Sequence, residues 1–280
     1  MSDDAIGAAA QLACLLEASA PKPGNVSPGR DFGDTTYADF LASAAAIGPA
    51  MARAGDVPLG ETILAAVRAT RRWTRANTNL GIILLLAPLA RAAALGGPLR
   101  GRLREVLATT TVRDAAQAYE AIRLARPGGL GRAAVQDVEA APTVSLREAM
   151  VLAASRDAIA AEWATDFALT FDTGAPALRA ARRDGLAWDD AVVEAFLALL
   201  AEAPDSLIAR KLGRAAAAEV SAEAAAALAL GGIRTPLGRG AIATLDAALR
   251  SPDNRRNPGT SADLTAAALL VVILERDSAA

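Results

Sequence analysis

The chain of 280 residues contains no histidine and a single cysteine, Cys14. Without histidine, a Ser-His-Asp triad, a Cys-His pair and a histidine-held zinc are all excluded. One thiol can neither close an internal disulfide nor build a cysteine cluster around a metal. Cys14 falls among Ile6, Leu12, Leu15 and Leu16 and reads as a small buried hydrophobe. Acid–base work is left to carboxylates, lysine, tyrosine or water. Any metal is expected to be a hard cation held by oxygen, Mg²⁺ first.

Lysine is nearly absent too: of 29 basic residues only Lys22 and Lys211 are lysines. Formal net charge is −2, so no strongly basic domain is present and no nucleic-acid partner is expected. Arg71-Arg72 and Arg255-Arg256 read as solvated helix ends. The apolar stretch Leu80–Leu95 is short and carries Pro88 and Arg91, so it predicts a buried helix and no membrane span. The start, Met1-Ser2-Asp3-Asp4, is acidic and unlike a signal peptide, and a cytoplasmic location is expected.

Apolar residues make up 53% of the chain and aromatics only 4%. A core of Ala, Leu, Val and Ile with little period-two alternation predicts an all-α fold of closely packed helices. No composition shift marks a linker, so residues 1–280 read as one large domain of about ten helices. Expected helices cover Asp3–Ser19, Thr36–Arg53, Pro58–Trp73, Leu80–Leu95, Leu99–Ala108, Val112–Ala125 and a long one from Ser145 to Thr170. Further helices are expected at Gly174–Arg183, Asp189–Ala203, Leu207–Leu230, Ala241–Arg250 and Ser261–Arg276. Long polar loops are expected at Ala20–Thr35, Arg126–Val144, Ile233–Gly240 and Ser251–Thr260.

The scarce residue types gather in these loops and at helix starts. In Pro21-Lys22-Pro23-Gly24-Asn25, prolines stiffen the chain, Gly24 permits close backbone approach, and a lysine can meet a phosphate. Asn77-Thr78-Asn79-Leu80-Gly81 puts three polar side chains before an apolar helix, where one cap suffices and an anion is favoured. In Asp205-Ser206-Leu207-Ile208-Ala209-Arg210-Lys211, a cap is followed by two cations, a set that suits a Mg²⁺-nucleotide. Asn257-Pro258-Gly259-Thr260-Ser261-Ala262-Asp263 leads an acid into another apolar helix. Asp157, Glu162 and Asp166 lie on the expected long helix, where a buried carboxylate would be a base or metal ligand. Each cluster also has a plain reading as a capped helix start or salt-bridged surface.

Five of these pieces, in order, resemble the triphosphoribosyl-dephospho-CoA synthase family. They are Glu17 with Pro21–Asn25, Asp39-Phe40-Leu41-Ala42-Ser43, Asn77–Gly81, Asp205–Arg210 and Pro258–Leu264. The resemblance implies a helical enzyme that transfers a triphosphoribosyl group from ATP to a hydroxyl of dephospho-CoA, releasing adenine. Well-known members carry Asn-Thr-His-Lys-Gly where this chain has Asn79 and Leu80 at the third and fourth positions. A histidine expected near Asp34 is also replaced. A ribosyl-phosphate transfer in tetrahydromethanopterin-type cofactor synthesis stands as the rival acceptor chemistry, and a non-catalytic nucleotide-binding scaffold as the rival class.

With the resemblance, the candidate catalytic residues are Asp263, Asp205 and Asp157. Nucleotide contacts are expected from Lys22, Gly24, Asn25, Asn77, Asn79, Arg210, Lys211 and Ser261, and Mg²⁺ at Asp205 and Asp263. The expected partners are a nucleotide and a small cofactor precursor; a homodimer is left open.

Overall fold

The computed structural model describes residues 1–251 and 253–277. Pro252, inside the fourth expected loop, and 278–280 lie outside the described residues. The described chain is helical and forms α1 Asp3–Ser19, α2 Tyr37–Ala52, α3 Leu59–Thr70, α4 Leu80–Ala94, α5 Leu99–Ala108, α6 Val112–Ala125 and α7 Leu146–Ala153. Then come α8 Ala158–Ala164, α9 Ala175–Arg183, α10 Trp188–Glu202, α11 Ser206–Leu212, α12 Arg214–Ala229, α13 Pro236–Leu249 and α14 Gly259–Asp277. No strand occurs among the described residues, which bears out the all-α expectation.

Helix starts follow local chemistry. Thr36 with Asp39, Thr111 with Asp114 and Ser145 with Glu148 form reciprocal capping boxes, each satisfying two orphan backbone donors. Pro21 stops α1 just after its C-cap, Ala20. The helices α4 and α14 are apolar nearly all round and occupy the interior. α4 packs on α1, α2, α3, α5 and α14; α14 packs on α1, α4, α9 and α10. Small residues let backbones meet closely. A Cβ added to Gly7 in α1 would stand 2.7 Å from the Gly48 carbonyl oxygen in α2.

Two of the twelve expected helix spans each divide in two, giving fourteen α-helices among the described residues, and one expected loop is largely helical. The long helix Ser145–Thr170 is broken twice. Asp157 leaves helical geometry to cap α8, accepting from the Ala160 N–H at 3.1 Å. Asp166 and Phe167 then adopt φ of 53° and 61°. A π-helical segment, Leu169–Gly174, follows and runs into α9. Its opening amides are held by the buried Glu162, which accepts from Leu169 N–H and Thr170 N–H, both at 2.9 Å. No glycine or proline marks these breaks, so periodicity alone ran through them. The expected helix Leu207–Leu230 splits at Gly213, whose φ is 94°. The expected loop Ile233–Gly240 is largely helix: Thr235 caps α13 and Pro236 takes its first position.

No single described helix is long and apolar enough to cross a membrane.

Candidate active site

A cleft of about 580 Å³ opens where the loop after α1, the start of α4, the loop after α6, the start of α8, the end of α11 and the start of α14 meet. That volume lies within the range of small-molecule sites. Its wall includes Glu17, Asn25, Asn77, Asn79, Asp157, Arg210, Lys211 and Asp263. Seven of the eleven sequence candidates thus share one cavity, although they come from five distant stretches of chain.

The N-termini of α8, α11 and α14 are tied together beneath the cleft. Asp205 caps α11 with one carboxylate oxygen, accepting from Leu207 N–H at 2.9 Å and Ile208 N–H at 3.1 Å. Its other oxygen accepts from Ser261 N–H at 2.7 Å and Ser261 O–H at 2.9 Å. Ser206 Oγ accepts from Ala158 N–H at 3.2 Å and shares a hydrogen bond of 3.0 Å with Thr260. Loop one is pinned to the same region: Asn25 donates to Asn257 Oδ1 at 2.9 Å, and Gly24 N–H donates to Asp246 at 2.8 Å.

Four candidates stand outside the cleft wall. Lys22 is completely buried and pairs with Glu17 at 2.9 Å; it also donates to the Glu17 backbone carbonyl. It neutralises a cleft carboxylate from behind and presents no ammonium to a phosphate. Gly24, at φ 69°, packs against Leu249 and Pro258. Asp205 and Ser261 form the buried knot just described. With both Asp205 oxygens filled by donors, that carboxylate has no free position for a metal in this arrangement; burial pushes its pKa up, against the lowering effect of those donors.

The cleft candidates differ in what holds them. Asn77 Oδ1 accepts from Leu80 N–H at 3.2 Å, so it caps α4 from two residues ahead of the N-cap position, Asn79. Asn79 is buried and donates to Thr70 Oγ1 at 3.1 Å. Arg210 is paired with Asp157. Lys211 is half-buried, which lowers its pKa.

Asp263 is distinct. Its carboxylate borders the cleft, and among the described residues no hydrogen-bond donor reaches it. Burial raises its pKa well above the carboxylate range, and the negative charges of Glu17, Asp205 and Asp157 add to the effect. It sits over Gly81 at the crossing of α4 and α14. A Cβ on Gly81 would lie 2.0 Å from Asp263 Oδ2, so only glycine leaves room for the acid.

Sequence reasoning gave no role to Glu17, Arg126 or Arg156, all of which line the cleft. Glu17 did carry a signal: beyond the first turn it is the sole charged residue of α1. The two arginines lay among many and carried none.

The all-helical fold, with a cleft that gathers cations beside a carboxylate without a donor, places the chain among transferases. The chain belongs to the CitG family, ATP:dephospho-CoA triphosphoribosyl transferase, whose model matches residues 3–280. The enzymes of this family move triphosphoribosyl from ATP to dephospho-CoA, and ATP is the donor substrate here. A solved structure from Archaeoglobus fulgidus, named as a triphosphoribosyl-dephospho-CoA synthase, is similar at a TM-score of 0.65 and 31% identity. The match covers 84% of this chain and 98% of that one. No curated protein matches the sequence.

Proposed function

We propose that Asp263 is the base of the triphosphoribosyl transfer. The attacking hydroxyl of dephospho-CoA gives its proton to the Asp263 carboxylate while its oxygen bonds to C1 of the ATP ribose. The C1–N bond to adenine breaks, adenine leaves with the electron pair and takes up a proton, and the triphosphate stays on the transferred sugar. C–N cleavage at an anomeric carbon builds oxocarbenium character, which the neighbouring Glu17 carboxylate stabilises. Arg210, Lys211 and Arg156 meet the phosphates as charge partners. The observation that carries this reading is a cleft carboxylate with a raised pKa and no donor from the described residues, given its space by Gly81.

Among the described residues no group of three metal-ligating side chains converges. A magnesium ion needs only one or two carboxylates when substrate phosphates complete its shell. Glu17 fits that demand; Asp263, which takes the proton, and Asp205, whose oxygens are filled, do not. When bound there, Mg²⁺ would supply positive charge to the triphosphate.

Incubation with ATP and dephospho-CoA, followed by chromatography for free adenine, tests the assignment. Asp263→Asn should lower the rate about 10²- to 10⁴-fold with the fold intact, the range for loss of a general base. A rate within about threefold of wild type would remove Asp263 from the chemistry.

A further inference from the structure

A second groove, of about 600 Å³, is lined by Arg68, Arg71, Arg72, Arg123, Arg126 and Glu120. The ends of α3 and α6, which pack together, supply all six. Five guanidiniums face one carboxylate. Glu120 pairs with Arg68 at 2.5 Å. Arg71 donates to the Arg75 carbonyl and Arg123 to the Val138 carbonyl, partners without charge. Among the described residues no carboxylate pairs with Arg71, Arg72, Arg123 or Arg126.

The helix dipole accounts for Arg68 and Arg123, which lie in the last turns of their helices. It favours a cation at the C-caps Arg71 and Arg126 as well, but it does not require five arginines along one groove. Arg72 lies past the end of α3. Arg126 holds the C-cap of α6 at φ 52°, ψ 57°, a left-handed conformation that glycine adopts at far less cost. A long cation kept at that position, against backbone preference, points to a task for its side chain. Arg126 also lines the main cleft, so the groove and the cleft share a wall.

Two polyphosphorylated substrates must be held at once, and the cations at Arg210 and Lys211 serve one of them. We infer that the arginine groove binds the diphosphate of the acceptor, with Arg126 at the junction. Guanidiniums suit this ligand because their planar donors match phosphate oxygens in pairs. The inference rests on the transfer reading above and adds which substrate lies where.

Its test is the kinetics of Arg72→Ala and Arg123→Ala, singly and combined, in the full chain, with circular dichroism confirming the fold. Arg72→Gln stands in if the double variant does not fold. Adenine release is followed against dephospho-CoA at fixed ATP, then against ATP at fixed dephospho-CoA. The acceptor KM should rise about tenfold or more in the double variant, and the ATP KM should change less than about twofold. Inorganic pyrophosphate should compete with dephospho-CoA in the wild type and lose potency in the variant.

An unmoved acceptor KM overturns the inference, as does an equal rise in the ATP KM. Pyrophosphate inhibition that competes with neither substrate would make the groove a separate anion site and overturn it as well. A wild type that releases no adenine defeats the transfer reading itself, which an active wild type with an unmoved acceptor KM does not.

Discussion

Lys22 and Glu17 show how one side chain can serve a site without touching a ligand. A lysine with no exposure is stable only against a charge partner, and Glu17 supplies it at 2.9 Å. Lys22→Met should cost about 3–5 kcal/mol in chemical denaturation because it strands a buried carboxylate. Lys22→Met with Glu17→Gln should recover part of that loss; a double variant as unstable as the single one would contradict the pairing. Asp263 is the opposite case, a carboxyl that burial and three like charges hold well above the usual range. Such a group binds its proton more tightly folded than unfolded. The stability it contributes is therefore present below about pH 4, the ordinary carboxylate value, and is lost as pH rises through its native pKa. Asp205 and Glu162 are also raised by burial and act in the same direction. Asp263→Asn should make the denaturation midpoint fall less steeply over that window and leave the variant more stable above it. Parallel curves for the two proteins would refute the shift.

At the scale of the element, the breaks in the expected 145–170 helix do the most to shape the site. By ending one helix and capping the next, Asp157 comes to the cleft edge, where it pairs with Arg210. Trp163, the penultimate residue of α8, fixes that helix to α4 by donating to the Leu84 carbonyl at 3.2 Å. Glu162 then replaces the carbonyls that the π segment lacks. Glu162→Ala would leave buried amides without acceptors, at roughly 1–3 kcal/mol for each one stranded. Urea denaturation measures the sum; a loss below about 0.5 kcal/mol would mean that the segment rearranges to find other acceptors. The start of α4 makes a related point. Gly81 is needed there because α14 brings Asp263 against its backbone, a demand set by the crossing of two helices and by nothing local.

Over the whole molecule, the cleft exists because six chain segments converge on the starts of α4, α8 and α14 and the end of α11. A ligand that binds this assembled form and not the unfolded chain raises its stability. ATP at a hundred times its Kd should add about 2.7 kcal/mol to the unfolding free energy. Arg210→Ala with Lys211→Ala should lose most of that gain at the same ATP concentration, read by thermal or chemical denaturation. An undiminished gain would place the nucleotide phosphates elsewhere.

An all-helical chain was legible from composition alone, since an Ala- and Leu-rich sequence with little alternation has no half-buried strand to offer. Capping residues and prolines marked most helix ends, because those signals act within four residues. The polar clusters were legible as clusters, and the ordered motifs pointed to the family. Which members of each cluster face the cleft was decided only by the tertiary structure. Capping a helix and meeting a ligand draw on the same residue types, and they differ in whether the oxygens and ammonium groups are already filled. Asp205 is filled by Ser261, 56 positions away, while Asp263 keeps its carboxylate free of donors beside a glycine from another helix. Contacts of such separation follow from packing, and no local pattern in the chain encodes them.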